Sequence, residues 1–168
     1  SYTIGLRYET DGSIIWNRRG LVIEGATQLT VWLTAATDMF EKDMESVCCR
    51  RLEEAVQNGW EKVRAEHVKE HRAGMEQCSF TMPDTHADLP TEQRIRAFAE
   101  NKGGDDGLIA LFFQYGRYLI FNSSRPDSVV PAALQGVWND DRACRMEWTD
   151  DMHLDINTQM NYYPAENT

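Results

Sequence analysis

The chain has 168 residues, of which 42% are hydrophobic, and it carries a formal net charge of −10 at pH 7. This length suits one domain or parts of two, and the acidic balance argues against nucleic acid and anionic membrane as partners. No apolar run approaches the roughly 18 residues of a membrane span. The first residues do not resemble a signal peptide, but a mature or truncated chain would also lack one, so export stays open.

Residues 1–40 show the alternation expected of β-strands. Strand-like stretches at 2–8, 14–16, 21–26 and 29–36 are separated by polar and glycine-containing turns. The pattern predicts three or four antiparallel strands. Strands this apolar need a second sheet to cover them, and the chain supplies none, so the segment is interpreted as the end of a β-sandwich.

The apolar residues of 41–74 instead recur at the spacing of three and four that is typical of helices. Asn58-Gly59 is predicted to divide two helices. His67 and His71 are four residues apart, but the glutamates beside them favour a solvated helix face over a zinc site.

A polar loop over 83–90 precedes a third predicted helix, for which Thr91 is a plausible N-cap. The glycine-rich stretch 103–107 interrupts the pattern. It is followed by a nearly all-apolar helix over 108–121, which predicts packing inside a larger helical assembly. The chain after Asn122 is expected to be mostly irregular.

Polar and aromatic side chains crowd into the last part of the chain. Asp155 and Asn157 are separated by one residue, so an extended or irregular backbone would aim both side chains the same way. Such residues are common in loops, where they bond their own backbone. So many amides and indoles together are, however, more typical of a wet pocket that binds a sugar and orients water. The neighbours that favour this are Gln135, Trp138, Asn139, Trp148, His153, Gln159, Asn161, Tyr162 and Tyr163.

Cys48, Cys49, Cys78 and Cys144 contain no Cys-x-x-Cys pair, and they are interpreted as free thiols. Neither the cysteines nor the histidines predict a metal site. Free thiols suit a reducing cytoplasm, whereas the lack of a signal peptide in a mature or truncated chain leaves export open. Localisation, cytoplasmic or exported, is therefore left open.

Four motifs in this order resemble glycoside hydrolase family 95, the inverting α-L-fucosidases. They are Phe-Gln-Tyr-Gly-Arg-Tyr-Leu from Phe113, Ser-Ser-Arg-Pro from Ser123, Leu-Gln-Gly-Val-Trp-Asn from Leu134, and Asn-x-x-Met-Asn-Tyr-x-Pro-Ala-Glu from Asn157. The resemblance is strong over the last sixty residues and weaker, but collinear, over the first hundred. Motifs in the right order are more specific than any one alone.

The resemblance implies an α+β fragment in three parts. Residues 1–40 would be the C-terminal strands of the N-terminal β-sandwich, 41–80 a helical linker, and 81–168 the first helices and loops of an (α/α)6 catalytic barrel. A barrel of twelve helices needs roughly 200 residues or more. The barrel is therefore expected to be incomplete, and the chain to be inactive without the remainder of the parent enzyme.

The resemblance also implies the reaction, hydrolysis of terminal α-L-fucose or L-galactose from glycans with inversion. In the family, two asparagines in Asn-x-Asn, tuned by a downstream aspartate, activate the water, and a downstream glutamate is the acid. Asn157 matches the second asparagine of the motif, but this chain has Asp155 at the position where the family usually has the first asparagine. We hypothesise that Asp155 is the base and that Asn157 positions the water. The rival is that Asp155 marks a different substrate or a lost activity.

Other candidate residues would contact the sugar. His153 matches a sugar-contacting histidine of the fucosidases, and Trp138 and Trp148 could stack on a pyranose or lie in a core. Gln135 and Asn139 are candidate pocket amides, whereas Arg117 and Arg125 are expected to tie helix ends or loops. The general acid is expected beyond residue 168, and the resemblance implies no metal and no organic cofactor.

Two alternatives remain beside the enzyme. In a non-catalytic carbohydrate-binding module the aromatic residues would bind sugar and Asp155 would do no chemistry. In a structural linker fragment there would be no site. A fucosylated glycan is the expected partner if the chain is part of the enzyme or is a carbohydrate-binding module.

Overall fold

The computed structural model describes residues 1–138, 145 and 147–168, which form two compact units, Ser1–Glu70 and His71–Thr168. Within these ranges, four strands in two antiparallel pairs precede five α-helices. The α+β class predicted from the sequence is confirmed at this level. In the part of the chain that is described, no helix combines the length and apolarity needed to cross a bilayer.

The strands of the first unit pair as two ribbons. β1 (Tyr2–Thr10) lies antiparallel to β4 (Leu29–Thr37), and β2 (Ser13–Asn17) forms a hairpin with β3 (Gly20–Glu24). The Asp11 carboxylate accepts hydrogen bonds from the backbone N–H groups of Thr27 and Gln28 at 2.9 and 3.0 Å. This bond pair joins the turn after β1 to the residues before β4.

One face of the β1–β4 ribbon packs on helix α1 (Met44–Asn58), where Trp32, Ala36 and Cys48 are buried. The side chains that alternate with these point the other way. Because strand neighbours face opposite sides, that second face is apolar and exposed. It carries Tyr2, Ile4, Leu6, Leu29, Val31 and Leu33. This exposed apolar face is the surface that a second sheet would have to cover.

Helices α1 and α2 (Trp60–Met75) divide where the sequence predicts. Gly59 has φ 75°, a left-handed conformation that glycine adopts without a Cβ clash, and its N–H donates to Ala55 O at 3.0 Å. At the other end of α1, the Asp43 carboxylate accepts from Ser46 N at 3.1 Å. The helix is therefore capped at both ends.

The second unit contains α3 (Thr91–Asn101), α4 (Asp106–Ser123) and α5 (Asn157–Tyr162). The prediction that Thr91 caps α3 is wrong: Pro90 occupies the cap position and Thr91 is the first helical residue, since proline suits a helix start that needs no N–H donor. α4 begins two residues earlier than predicted because Asp105 caps it, accepting from Leu108 N at 2.9 Å.

The segment expected to be irregular contains α5 and two 3₁₀ turns, Glu147–Asp150 and Tyr163–Glu166. Asn157 is the first residue of α5, whereas Asp155 lies in the preceding turn. The two side chains are therefore carried by a turn and a helix start, not by an extended strand.

The three cysteines in the described ranges are free thiols, as predicted. Cys48 is buried, Cys49 is exposed and Cys78 is half-buried. Cys144 lies outside the described residues.

Candidate active site

The loop after α4 is attached to α5 by side chains of the motif that begins at Asn157. The Tyr162 hydroxyl accepts from Ala132 N at 2.8 Å and shares a hydrogen bond with the Ser124 hydroxyl. The Asn161 amide donates to Ala133 O at 3.0 Å. These bonds span about thirty residues of sequence and hold residues 132–136 beside α5.

The same loop also binds the turn Glu147–Asp150. Gln135 N donates to the Asp150 carboxylate at 2.7 Å, and Leu134 N donates to Asp151 O at 3.0 Å. The turn itself is unusual, because Trp148, Thr149 and Asp150 have φ values of 59°, 52° and 53°. Non-glycine residues pay roughly 1–2 kcal/mol each for a left-handed conformation.

His153 lies at the centre of a small cluster that follows this turn. Its Nε2 contacts the Asp151 carboxylate, and its Nδ1 is 3.9 Å from Oδ1 of Asp155. The Trp148 ring meets the imidazole edge-on, with 5.6 Å between centroids. The His153 side chain is 22% exposed, so the cluster is open to solvent on one side.

The backbone around Asp155 is fixed by the start of α5. His153 O accepts from both the N–H and the hydroxyl of Thr158 at 2.9 Å, and the Gln159 amide donates to Leu154 O at 2.7 Å. The Asp155 carboxylate projects from this framework and is 79% exposed. Asn157 is half-buried. A carboxylate presented this way can accept a proton or bind water without first breaking an ion pair of close geometry.

A separate cavity of about 690 Å³ lies between α4, α5 and the loop 132–138. Gln135 and Trp138 line it, and the Trp138 ring stacks on Tyr118 with centroids 6.2 Å apart. Most of the remaining wall is apolar. The other lining residues include Phe80, Ile109, Phe113, Arg117, Leu134, Met160 and Asn161.

The predicted site residues therefore fall into two groups. Gln135 and Trp138 belong to the cavity, whereas His153, Asp155 and Trp148 form the solvent-facing cluster and Asn157 follows them at the start of α5. The hydrogen bond from Gln135 N to the Asp150 carboxylate links the loop that carries the first group to the turn that precedes the second. Asn139, also predicted to line the pocket, lies outside the described residues.

Asp151 was not predicted from the sequence, although it touches the candidate histidine more closely than Asp155 does. Its position two residues before His153 was the available signal. That spacing alone does not identify a partner, because a contact at i, i+2 depends on the local backbone.

Sequence reasoning also missed a buried charge cluster at the start of α4. Arg94 donates to both oxygens of Asp105 at 2.8 and 2.7 Å, and to Asp84 at 3.0 Å. Hydrogen bonding to Arg94 lowers the pKa of the Asp105 carboxyl to about 2, and the same bonds raise the pKa of the Arg94 guanidinium. The signal was the Asp-Asp-Gly before an apolar helix, which is typical of an N-cap.

Arg117 ties segments together, as predicted, and is itself buried. Its Nη1 donates to Met75 O, Cys78 O and the Gln114 side chain at 3.0, 2.6 and 2.9 Å, and its Nη2 donates to Thr168 O at 3.0 Å. Arg125 lies 4.1 Å from the centroid of the Phe121 ring. Both arginines therefore hold structure together at the end of α4 and around it.

Among the described residues, no three His, Cys, Asp or Glu side chains are grouped so that they could hold a metal ion. The described side chains of this site carry carboxylates, an imidazole, amides and indoles.

A sequence model of the glycosyl hydrolase family 95 catalytic domain matches residues 59–168. The chain is 34% identical over 116 residues, 68% of its length, to probable alpha-fucosidase A of Aspergillus niger. It is 36% identical over 140 residues, 80% of its length, to probable alpha-fucosidase A of Aspergillus oryzae. It is 32% identical over 127 residues, 72% of its length, to alpha-L-fucosidase 2 of Arabidopsis thaliana. These matches span 14%, 19% and 14% of the three relatives.

Proposed function

The chain belongs to glycosyl hydrolase family 95, and on that premise we propose that it supplies part of the active site of an inverting glycosidase. The proposed reaction is removal of terminal α-L-fucose, or of the closely related L-galactose, from fucosylated glycans. The observation that carries the proposal is the family match over 59–168, because it contains both the cavity residues and the cluster around His153.

The proposed base is Asp155. An inverting glycosidase needs one carboxylate to take a proton from water and a carboxylic acid on the other face of the sugar. Asp155 is supported as the first of these because its carboxylate is 79% exposed and its recorded contact with a basic side chain, His153 Nδ1, is as long as 3.9 Å. Asn157, two residues on, is proposed to orient the water through its amide.

An aspartate here changes the demands on the rest of the site. An amide is a very poor base and needs a neighbouring carboxylate to polarise it, whereas a carboxylate accepts the proton directly. We therefore propose that this chain relies less on a distant aspartate than a relative with Asn-x-Asn would. The general acid is proposed to come from sequence beyond residue 168.

The sugar is proposed to lie between the solvent-facing cluster and the mouth of the cavity. Trp148 is 70% exposed and Trp138 44% exposed, which suits rings that stack on the apolar face of a pyranose. Gln135 and His153 supply hydrogen-bonding groups on either side. Asn139 remains a candidate for the same role.

The proposed architecture follows from the same membership. Residues 1–40 would end a β-sandwich, 41–80 would form a helical linker, and 81–168 would begin an (α/α)6 barrel. Large side chains of α4 support the last of these, because they are exposed where a neighbouring barrel helix would cover them. They are Ile109, Leu111, Phe112 and Tyr115.

The experiment is fucose release from 2′-fucosyllactose and from 4-nitrophenyl α-L-fucoside, by this chain and by a longer polypeptide that contains it. Activity in the longer polypeptide alone is the expected result, since the chain spans only 14–19% of its relatives. Asp155→Ala in the longer polypeptide should abolish turnover without changing the unfolding temperature. Asp127→Ala, which removes a carboxylate from an exposed turn of the same unit, is the matched control.

Two results would contradict the proposal in different ways. Full activity of Asp155→Ala would remove Asp155 as the base. Calorimetric binding of 2′-fucosyllactose without hydrolysis by either polypeptide would favour the carbohydrate-binding alternative, for which the exposed Trp148 ring is the relevant feature.

A further inference from the structure

The turn Glu147–Asp150 has a backbone conformation that must be held by contacts from outside it. Trp148, Thr149 and Asp150 have φ values of 59°, 52° and 53°, and none of them is glycine. Non-glycine residues in the left-handed region cost free energy and persist only where the surrounding structure fixes them. Such strained segments cluster at ligand-binding and catalytic sites. The contacts that hold this turn therefore identify candidate positioning residues.

Two hydrogen bonds from one loop hold the turn. Leu134 N donates to Asp151 O at 3.0 Å, and Gln135 N donates to Oδ1 of Asp150 at 2.7 Å. About a single bond the turn could pivot, whereas two bonds from neighbouring N–H groups fix its direction. The first bond joins backbone atoms. The second depends on the side chain at position 150, so a substitution there can remove it alone.

The loop that donates these bonds is itself fixed to α5. The Asn161 amide donates to Ala133 O at 3.0 Å, and Ala132 N donates to the Tyr162 hydroxyl at 2.8 Å. Gly136 N also donates to Ala133 O at 3.0 Å, which closes the loop into a tight turn. The loop can therefore serve as a fixed base against which the turn Glu147–Asp150 is held.

The bond to Asp150 joins the two groups of residues that are proposed to hold the sugar. The loop carries Gln135 and Trp138, which line the cavity. The turn carries Trp148, whose ring is 70% exposed and meets the His153 imidazole edge-on. Asp150 is half-buried, and its carboxylate is engaged by the loop backbone.

We propose that Asp150 is a positioning residue for sugar binding: its carboxylate accepts the Gln135 N–H, holds the turn against the loop, and so fixes the Trp148 ring where the sugar stacks on it. This inference rests on the function proposed above. Asp150 acts through Trp148 and does not itself contact the sugar. Aspartate meets both demands of the position, because it is enriched among non-glycine residues in the left-handed region and its side-chain oxygens accept hydrogen bonds.

Three substitutions at this position separate the hydrogen bond from the backbone strain. Asp150→Asn keeps an acceptor oxygen and tolerates a positive φ. Asp150→Ala removes the acceptor. Asp150→Gly also removes the acceptor but relieves the strain at this residue. If the bond positions the turn, the Ala and Gly variants should behave alike and the Asn variant should behave like the native chain.

The first test reads the bond and the ring in this chain by NMR. Exchange of the Gln135 N–H with deuterated water is expected to be roughly 5-fold to 10-fold faster in Asp150→Ala and Asp150→Gly, the factor that corresponds to one hydrogen bond. The indole N–H signal of Trp148 is expected to shift in the same two variants. The chain has five tryptophans, so Trp148→Phe assigns that signal.

Asp127→Ala is the control for this test and should change neither signal. Gln135 exchange in Asp150→Ala as slow as in the native chain would overturn the proposal, because the carboxylate would then not hold that N–H. A Trp148 indole signal unchanged in Asp150→Ala would overturn it as well, since the ring would keep its place without the bond. Unchanged amide signals away from 132–138 and 147–158 would show that the variants are folded.

The second test measures fucose release from 2′-fucosyllactose by the longer polypeptide. Asp150→Ala and Asp150→Gly are expected to lower kcat/KM by roughly 10-fold, as for a displaced binding group, with most of the loss in KM because the ring contacts the bound sugar. Asp150→Asn should stay within about 3-fold of native. In a Trp148→Ala background, Asp150→Ala should cause no further loss, because the ring that it positions is gone.

Three kinetic results would overturn the proposal. Losses from Asp150→Ala and Trp148→Ala that multiply would show that Asp150 acts independently of the ring. Native kcat/KM in Asp150→Gly would show that the strain, and not the bond, is what the position controls. Equal losses in Asp150→Asn and Asp150→Ala would show that the negative charge acts and not the acceptor oxygen.

The two tests separate this inference from the function on which it rests. If no polypeptide releases fucose, the proposed function fails, and the Gln135 exchange and the Trp148 signal alone decide whether Asp150 positions the ring. If fucose is released at the native rate by Asp150→Ala, the function stands and the role of Asp150 is wrong.

Discussion

Replacement of Arg117 by methionine should destabilise the second unit by about 3 kcal/mol. Methionine keeps the apolar stem of the side chain but removes the donors to three backbone carbonyls, those of Met75, Cys78 and Thr168. Arg117 is buried at 5% exposure, so water cannot freely replace it. Each carbonyl left without a donor costs about 1 kcal/mol, the lower end of the range for partly buried acceptors. For a chain of this size, the sum corresponds to a fall of about 6–12 °C in Tm.

The assay is urea unfolding of the chain, with the free energy extrapolated to water and the slope compared between variants. Arg96→Met is the matched control, because Arg96 is 71% exposed and its ion pair among the described residues is with Glu92 in the same helix. It should cost no more than about 0.5 kcal/mol. Arg117→Lys should fall between the two, since an ammonium group can reach some of the three carbonyls. Equal losses for Arg117→Met and Arg96→Met would refute the reasoning and show that the carbonyls find water.

Three further predictions concern the second unit, His71–Thr168. Asp105→Asn should be less stable than the native chain above about pH 5, and the difference should shrink as the pH falls through 3.8 toward 2. The reason is that the fold lowers the carboxyl pKa to about 2 and only the ionised form binds Arg94. Unfolding midpoints measured across this pH range check the prediction. Gly74→Ala should lower the free energy of unfolding by about 1 kcal/mol despite the better helix propensity of alanine, because a Cβ there would lie 2.1 Å from Cε2 of Phe121. A higher free energy of unfolding in urea would contradict this close approach. Thr149→Asn should raise Tm slightly, by the equivalent of about 0.5 kcal/mol, because asparagine tolerates φ 52° better than a β-branched residue; a lower Tm in calorimetry would count against the left-handed turn.

Much of the local structure could be predicted from sequence because it depends on near neighbours. The alternation in residues 1–40 matches β1 to β4, and the Asn58-Gly59 division matches the observed break between α1 and α2. The start of α3 was misassigned by one residue and α4 by two, since a proline or an aspartate can occupy a cap position without changing the apolar pattern that follows. The helix at Asn157–Tyr162 was missed because six residues are too few to show a period.

The sequence by itself determined the family, through motifs whose order is preserved, and with it the identity of the candidate residues His153, Asp155 and Asn157. Only the tertiary structure decided how these residues are grouped. It separates Trp138 in the cavity from Trp148 beside His153, and it brings Asp151 to the imidazole. Arg117 and Met75 are 42 residues apart, and Arg94 and Asp105 are joined across a helix break. Periodicity and spacing describe one element at a time, whereas these contacts depend on how separate elements pack, which is why they emerge only when the chain is folded.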